Sequence, residues 1–334
     1  MEIIMKYICS ILLGLTLGTG CELANPDDVG NLVPPTCDQD PLLPQTEISV
    51  AGHSRSIHIE TFGDTSLPVL FVLHGSASDY RAYLPLHILS EKYYMVFWDQ
   101  RGCGLSERIS LGEITWDAVI DEIDAIKNMY SPHRAITIIG HSWGGAYATL
   151  YTSRRMEAVR QLVLLEPGPA LNVDVFAKTI NTLFTLDFSN EVMNDTQWMN
   201  ELLSVSDHEQ MDYRYLMNVN SSMMNYFVDP DHLPDWPVWR IGSYVEYGRQ
   251  YRIMNDKDFD FACGMDQFSN EVLIVGSDHS VLGYTFQKKY HQPLFGNAKT
   301  VCITQSGHRM ITEQFDQLYT TLTDYLIEYS SGDN

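Results

Sequence analysis

The stretch Gly140-His141-Ser142-Trp143-Gly144 decides the fold prediction for this chain. It follows the continuous apolar run Ala135–Ile139, which is typical of a strand buried on both faces of a sheet. A helical pattern over Ala146–Met156 comes directly after it. In such a strand–turn–helix setting, glycines flank a turn so sharp that it lifts the serine hydroxyl above the sheet. We therefore predict a parallel sheet that presents Ser142 as a nucleophile at the end of one strand.

Apolar runs of the same kind recur on both sides of this stretch. They span Pro68–Leu73, Tyr94–Trp98, Leu162–Leu165, Val272–Val275 and Thr300–Thr304. A helical pattern between two of these runs begins after Thr115, a residue suited to capping a helix, and another, over Thr312–Ile327, follows the last run. Alternating segments at Glu47–Ala51 and Ser56–Thr61 predict a hairpin at one edge. The predicted fold class is α/β, a doubly wound and mostly parallel sheet.

The alternation of strands and helices is interrupted once, between residues 168 and 268. This stretch contains 16 acidic and 6 basic residues and is rich in aromatic side chains. Its helical stretches and its proline-rich turn indicate an inserted, mostly helical lid, with an independent second domain as the alternative. We favour the lid because the insertion lies between two strands of one sheet. The core then consists of residues 46–167 and 269–334.

The N-terminus has the pattern of an export signal. Lys6 precedes an apolar run that is too short to span a bilayer, which takes about 20 residues. Small residues lead up to Cys21, so the segment resembles a bacterial lipoprotein signal, with a plain signal peptide as the alternative. We predict a signal peptide over 1–20, a lipidated Cys21 and a flexible tether over 21–45. The chain is then exported and held at a membrane through this anchor, in the periplasm or at the cell surface.

Charge and cysteine content narrow the expected partners. The formal net charge is −22, which argues against nucleic acid, because phosphate binding needs concentrated Lys and Arg. The sequence has no dinucleotide-binding, phosphate-loop or HExxH zinc motif, so we expect no cofactor and no metal. The cysteines after Cys21 form no CxxC pair, and their disulfide pairing stays open: Cys37, Cys103, Cys263 and Cys302. A small molecule or a short peptide is the expected substrate.

A serine nucleophile needs a base, and in this arrangement the base follows the last strand. His308 lies in that loop. The acid that orients the base is expected after the penultimate strand, where Asp278 is our preferred candidate. The more usual position, three residues after Gly276, holds His279. Glu166, at the end of an earlier strand, is the alternative acid.

The negative oxygen of a tetrahedral intermediate needs hydrogen-bond donors. One expected donor is the backbone N–H of Trp143, directly after the nucleophile. The other is expected from the loop that follows the strand over 68–73, and we assign it to the N–H of Ser76. His74, in the same loop, is predicted to have a structural role.

Together these residues resemble the α/β-hydrolase family over Glu47–Ile327. The segment Trp98-Asp99-Gln100-Arg101-Gly102-Cys103-Gly104-Leu105-Ser106, together with His74-Gly75 and the serine turn, resembles the proline iminopeptidase-like branch. The resemblance implies a serine hydrolase that cleaves an amide or ester through an acyl-enzyme. An aminopeptidase acting on N-terminal proline or small apolar residues is the finer expectation. The family's helical lid is inserted after the strand that ends here at Glu166.

Two departures from this branch bear on the substrate. Relatives that cleave N-terminal proline have a fuller glycine run where Ser-Ala-Ser follows His74-Gly75 here. Their lids often carry Trp-x-x-Trp-Glu, whose glutamate binds the substrate's amino group, whereas Trp236-Pro-Val-Trp239 is followed here by Arg240. Glu246 lies close by in the sequence and is the candidate replacement. A carboxylesterase with the same catalytic residues remains an alternative, as does a tethered binding protein without turnover.

Overall fold

The computed structural model describes residues 34–76, 78–168, 171, 208, 211–212, 227–229, 236–256 and 258–330. The predicted signal peptide, Cys21, the first part of the predicted tether and most of the predicted lid lie outside these residues. Among the residues that are described, no helix is both long and apolar enough to cross a membrane.

Eight strands form one sheet in the described residues. They are β1 (Gln45–Val50), β2 (His53–Phe62), β3 (Val69–Leu73), β4 (Tyr94–Trp98), β5 (Ile136–His141), β6 (Val159–Leu165), β7 (Val272–Ser277) and β8 (Ala298–Ile303). The spatial order is β1-β2-β4-β3-β5-β6-β7-β8. β2 is antiparallel to β1 and to β4, and the other neighbours are parallel. The predicted doubly wound, mostly parallel sheet with an edge hairpin is confirmed.

Helices cover both faces of this sheet. The longer ones are α1 (Trp116–Tyr130), α2 (Trp143–Arg154), α3 (Ser243–Asn255) and α4 (Phe315–Ser330), together with a 3₁₀ helix over Tyr80–Glu91. Short helical turns occupy Leu111–Glu113, Met156–Ala158, Met265–Gln267, Tyr284–Phe286, Gln287–His291, Gln292–Leu294 and Met310–Glu313. α1 begins as its sequence predicts, because the Thr115 hydroxyl accepts a hydrogen bond from Ala118 N at 3.1 Å.

Each face of the sheet has its own apolar core. On one face α1 and α2 pack on the strands, with Ile123 and Leu150 completely or almost completely buried. On the other face the 3₁₀ helix and α4 do the same through Leu86 and Leu322. Because both faces of the central strands are covered, their residues are apolar without alternation. This explains the continuous apolar runs in the sequence.

The chain joins the core earlier than the predicted tether boundary at residue 45. Thr36 and Cys37 are each only 2% exposed. Cys37 N donates to the Leu105 carbonyl oxygen at 2.8 Å, and Cys37 Sγ donates to the Ser56 carbonyl oxygen at 3.1 Å. These contacts correct the boundary to Thr36, since the residues that follow form hydrogen-bonded turns on the core. The four cysteines in the described residues are free thiols: Cys37, Cys103, Cys263 and Cys302.

The described helix of the insertion packs directly on the core. Val245 in α3 contacts an apolar cluster that contains Ile109 and Ile114. Arg252 Nε donates to the Ile114 carbonyl oxygen at 2.5 Å. Such contacts suit a lid better than an independent domain, which would bury its own apolar residues.

Candidate active site

Ser142 occupies the sharp turn between β5 and α2. Its backbone has φ 52° and ψ −120°, a conformation that residues other than glycine rarely adopt. A Cβ on Gly144 would lie 2.1 Å from the Leu73 carbonyl oxygen, and a Cβ on Gly140 would lie 2.4 Å from the Gly144 carbonyl oxygen. Both flanking positions therefore require glycine, as the motif predicts.

The turn is tied to the end of the neighbouring strand β6. Ser142 N donates to the Leu165 carbonyl oxygen at 3.0 Å, and the Ser142 carbonyl oxygen accepts from Gly168 N at 2.9 Å. Glu166 lies between these two partners in the sequence, so its backbone is held beside the nucleophile. Ser142 itself is 9% exposed.

Glu166 holds His308. The glutamate is completely buried, and its Oε2 lies 2.6 Å from His308 Nδ1. Its Oε1 accepts from the backbone N of Ser277 at 2.7 Å and from the Ser277 hydroxyl at 2.5 Å. Because an ionised carboxylate only accepts, His308 Nδ1 carries the hydrogen and Nε2 is the basic nitrogen. The carboxylate is thus fixed through both oxygens, and it orients the imidazole.

The structure corrects the preference for Asp278 as the partner of His308. Asp278 Oδ1 lies 2.6 Å from His279 Nδ1, and its carboxylate also accepts from the backbone N of Gln305 and of Ser306, at 3.0 and 3.1 Å. Partial burial acts to raise the pKa of Asp278, but the hydrogen bonds from His279 and the backbone lower it below its ordinary value. The Asp278 carboxylate is therefore occupied by His279 and by backbone N–H groups of the loop after β8, and the alternative acid, Glu166, contacts the base.

The two predicted oxyanion donors come from segments that meet at Ser142. Trp143 is the first residue of α2, so its N–H lies at a helix N-terminus. Gly75 lies so close to the nucleophile that a Cβ on it would be 2.9 Å from Ser142 Cβ. Ser76 follows at once, which brings its backbone next to the turn.

His74 braces this loop, as predicted. It is completely buried; its Nε2 accepts from Gln100 N at 3.0 Å, and its Nδ1 donates to the Gly75 carbonyl oxygen at 2.8 Å. Burial lowers the pKa of His74 to about 4, so the ring is neutral near pH 7. The tautomer is set because Nε2 accepts a backbone hydrogen bond.

Asp99 is a structural centre of the segment that resembles the iminopeptidase branch. Its carboxylate accepts from Tyr80 N at 2.9 Å and from Leu105 N at 2.8 Å, and it lies 3.0 Å from His58 Nδ1. A Cβ on Gly104 would lie 2.2 Å from this carboxylate. Asp99 is thus engaged on both oxygens within the core, which does not suit a nucleophile.

A buried ion pair links α3 to the residue after the nucleophile. Arg249 is 1% exposed, and its guanidinium donates to the Tyr147 hydroxyl at 2.5 Å and to Gln100 Oε1 at 2.9 Å. Glu246 Oε2 lies 3.6 Å from this guanidinium, and Glu246 Oε1 accepts from Trp143 Nε1 at 3.1 Å. The charge of Glu246 is therefore matched by Arg249.

The segment 236–240 lies over the loop that carries Ser76. The buried carboxylate of Asp79 accepts from Trp239 N and from Arg240 N, the latter at 3.2 Å. The Trp236 ring packs at 6.2 Å from the His141 ring. The insertion thereby covers Asp79, in the loop after β3, and His141, in the serine motif.

The arrangement suits acyl transfer. A serine at a strained turn, an imidazole whose Nδ1 is committed to a carboxylate, and backbone N–H groups beside the serine are the parts this chemistry needs. In the part of the chain that the structure describes, no group of three or more His, Cys, Asp or Glu side chains is arranged to hold a metal.

Sequence reasoning missed three buried polar residues around this site: Tyr83, His141 and Arg249. Arg249 lies on an otherwise mixed helical stretch, and nothing in its sequence neighbours marks it as buried. His141 lies inside the serine motif, where its position next to the nucleophile was a usable signal. The signal against Asp278 was also available, because His279 occupies the position usual for the acid.

Comparison with known proteins gives a match to a sequence family described as the alpha/beta hydrolase family over residues 69–319, most of the 334-residue chain. The chain is 24% identical to a proline iminopeptidase of Thermoplasma volcanium over 273 residues, covering 77% of this chain and 88% of that protein. It is 21% identical to a proline iminopeptidase of Pestalotiopsis fici, covering 79% and 93%.

Among solved structures, an esterase from Exiguobacterium antarcticum is similar in fold. It superposes with a TM-score of 0.60 at 18% identity, covering 84% of this chain and 98% of that one. At this identity the likeness concerns the fold alone.

Proposed function

Because this chain belongs to the alpha/beta hydrolase family, we propose that it is a serine hydrolase that cleaves an amide or ester through an acyl-enzyme on Ser142. The observation that carries the proposal is the 2.6 Å contact between His308 and Glu166, beside the strained turn that holds Ser142. This contact leaves His308 Nε2 as the base that a serine nucleophile needs. The family and its relatives support hydrolysis as the class of reaction.

In this proposal, His308 Nε2 removes the proton from the Ser142 hydroxyl as the oxygen attacks the substrate carbonyl. The N–H groups of Ser76 and Trp143 donate to the resulting oxyanion. His308 then protonates the leaving group, and the acyl-enzyme remains. In the second half, His308 activates water, which releases the acid product and regenerates Ser142. Glu166 stabilises the imidazolium that forms in each half.

Ser142→Ala tests the nucleophile. We expect it to abolish labelling by a fluorophosphonate probe and hydrolysis together. Ser66→Ala, at an exposed turn, is the matched control and should behave as wild type. Folded wild-type protein that takes up no probe, or hydrolysis that survives Ser142→Ala, would instead support the tethered binding protein.

For the substrate, we propose a small apolar or prolyl group on the acyl side. The support is the similarity to proline iminopeptidases at 21% and 24% identity. An aminopeptidase must also hold a free ammonium group, and an unpaired buried charge costs several kcal/mol. Glu246 is an acidic residue of the insertion, and its carboxylate accepts a hydrogen bond from Trp143 Nε1. We expect a preference for free amines only if this carboxylate also faces the substrate.

A carboxylesterase is the second candidate, and one observation favours it. Glu246 lies 3.6 Å from the buried Arg249, so its negative charge is already matched. The two candidates are separated by kcat/KM for prolyl and alanyl amides, free and N-acetylated, beside a short acyl ester. Better cleavage of the free amines supports the aminopeptidase. Equal or better cleavage of the blocked forms, with good ester turnover, supports the esterase.

We also propose that the protein is exported and anchored through a lipid on Cys21, on the basis of the sequence pattern alone. Wild-type protein should fractionate with membranes, and Cys21→Ala should release it. Mass spectrometry of the mature N-terminus distinguishes a lipidated Cys21 from an unmodified terminus, which would support a plain signal peptide.

A further inference from the structure

We propose that Tyr83 and His141 are positioning residues that orient the oxyanion loop and the base loop together, an inference that rests on the proposed serine hydrolase function. Gly75 N lies 2.9 Å from the Tyr83 hydroxyl. That hydroxyl lies 2.7 Å from His141 Nδ1. His141 Nε2 in turn lies 2.9 Å from the His308 carbonyl oxygen. One continuous chain of hydrogen bonds therefore joins the loop before Ser76 to the residue that acts as base.

The direction of every bond in this chain is determined. A carbonyl oxygen only accepts, so His141 Nε2 must carry a hydrogen and donate to His308. Burial, with a smaller contribution from neighbouring His308, holds the pKa of His141 well below its ordinary value, so its Nδ1 is an unprotonated acceptor. The Tyr83 hydroxyl therefore donates to Nδ1, and its oxygen accepts from Gly75 N. Each of the three hydrogen bonds therefore pairs one donor with one acceptor.

The Gly75 peptide groups are held from both sides by these contacts. The Gly75 N–H donates to Tyr83, and the Gly75 carbonyl oxygen accepts from His74 Nδ1 at 2.8 Å. In a planar trans peptide the C=O and the following N–H point in opposite directions. Fixing the Gly75 carbonyl oxygen therefore fixes the direction of the Ser76 N–H, the proposed oxyanion donor. Without the Tyr83 bond, Gly75 keeps one of its two anchors.

The hydrogen-bonded side chains are also buried, so water does not reach them to replace a hydroxyl that is removed. Tyr83 is 1% exposed and His141 is 3% exposed. The His141 ring lies 4.5 Å from the His308 ring, and Trp236 covers both Tyr83 and His141. A hydroxyl removed here leaves the Gly75 N–H and His141 Nδ1 unpaired in a buried place. His141 also precedes Ser142, so nucleophile, base and oxyanion loop are all connected through it.

The test compares Tyr83→Phe with Tyr93→Phe. Tyr93 is another buried tyrosine, 6% exposed, whose hydroxyl donates to Gln161 Oε1 at 3.4 Å. Gln161 lies near the start of β6, opposite Thr137 of β5, whereas the serine turn follows the other end of β5. For Tyr83→Phe we expect kcat to fall by roughly 10- to 100-fold, less than the loss of a whole oxyanion donor, with KM within about 3-fold of wild type. Tyr93→Phe should keep the wild-type kcat even if it lowers stability by a similar amount.

Phenylboronic acid provides a readout that a merely structural role would not move. Its adduct with Ser142 is tetrahedral and places an oxygen at the oxyanion donors. Its inhibition constant should rise in Tyr83→Phe by the same factor as kcat/KM falls, and should not change in Tyr93→Phe. His141→Asn keeps an acceptor near the Nδ1 position, so it should lose less affinity for the boronic acid than Tyr83→Phe does.

Imidazole ¹⁵N spectra of the wild-type protein test the direction of these hydrogen bonds without any variant. We expect His141 to be neutral, with its hydrogen on Nε2. A hydrogen on Nδ1 overturns the inference, as does a Tyr83→Phe protein with wild-type kcat and wild-type affinity for the boronic acid. A wild-type protein that takes up no fluorophosphonate overturns the proposed function, and with it this inference. Wild-type labelling with an unaffected Tyr83→Phe overturns the inference alone.

Discussion

Glu166 and His308 are 142 positions apart in the sequence and are joined by a 2.6 Å hydrogen bond. The bond connects the residue after β6 with the loop after β8, across the end of β7. Ser277, the last residue of β7, donates twice to the same glutamate. Residues at the ends of three neighbouring strands thus meet at the Glu166 carboxylate.

The first prediction concerns this acid. Glu166→Gln should reduce kcat by roughly 10³- to 10⁴-fold, because the amide no longer selects the His308 tautomer that leaves Nε2 basic. Asp278→Asn is the matched control and should stay within a few-fold of wild type, since Asp278 bonds to His279 and to backbone N–H groups of Gln305 and Ser306, from which an asparagine oxygen can still accept. The measurement is kcat for both variants on one ester substrate. The opposite ranking would return the role to Asp278.

The second prediction concerns acid stability. His74 is completely buried with a pKa of about 4, against an ordinary value near 6.5 in the unfolded chain. As pH falls from 6.5 to 4, the unfolded chain binds a proton that the native state does not. The free energy of unfolding should therefore fall through this window, by roughly 3 kcal/mol from His74. Above pH 6.5 His74 is neutral in both the native and the unfolded chain, so it no longer makes the free energy of unfolding depend on pH.

His74→Gln tests this contribution, because the glutamine oxygen can accept from Gln100 N without titrating. Urea unfolding at pH 7 and pH 4.5 should show a smaller loss of stability in His74→Gln than in wild type. The difference between the two pH values is compared within each protein, so any baseline cost of the substitution cancels. Equal losses in both proteins would contradict the assignment.

The third prediction concerns Gly104. Its φ is 48°, and an added Cβ would lie 2.2 Å from the Asp99 carboxylate. Gly104→Ala should therefore cost about 3 kcal/mol or more, through backbone strain and overpacking of a buried carboxylate. In Gly112→Ala the new Cβ would meet only Ser110 Oγ, at 3.8 Å, and the change should stay within about 1 kcal/mol. Urea unfolding of both variants gives the comparison, and similar costs would be at odds with it.

The fourth prediction concerns the ion pair of Glu246 and Arg249. Arg249→Met leaves Glu246 as a buried charge without its cation, which should cost about 3–5 kcal/mol of folding free energy. The double variant Glu246→Gln/Arg249→Met should recover part of that loss. Arg155→Met is the matched control, because Arg155 and Asp124 form a 2.9 Å pair that is partly exposed and worth less than about 1 kcal/mol. Denaturation curves that show no recovery in the double variant would refute the coupling.

Much of the fold was predictable because local sequence and burial are directly linked in a parallel sheet. The run Tyr94–Trp98 coincides with β4, since a strand covered on both faces is apolar at every position. The tether boundary was predicted less well. Proline and aspartate before residue 45 suggest a flexible segment, but the burial of Cys37 is a contact with Ser56 and Leu105 that local composition does not encode.

The sequence by itself determined the serine turn and the place of the base. Gly140 and Gly144 are demanded by backbone atoms a few residues away or on the adjacent strand, and His308 follows from the order of strands. Only the tertiary structure decided the acid, because the choice between Glu166 and Asp278 depends on which side chain reaches His308 Nδ1 across three strand ends. It also decided that Tyr83, His141 and Arg249 are paired, since their partners come from distant segments that only folding brings together.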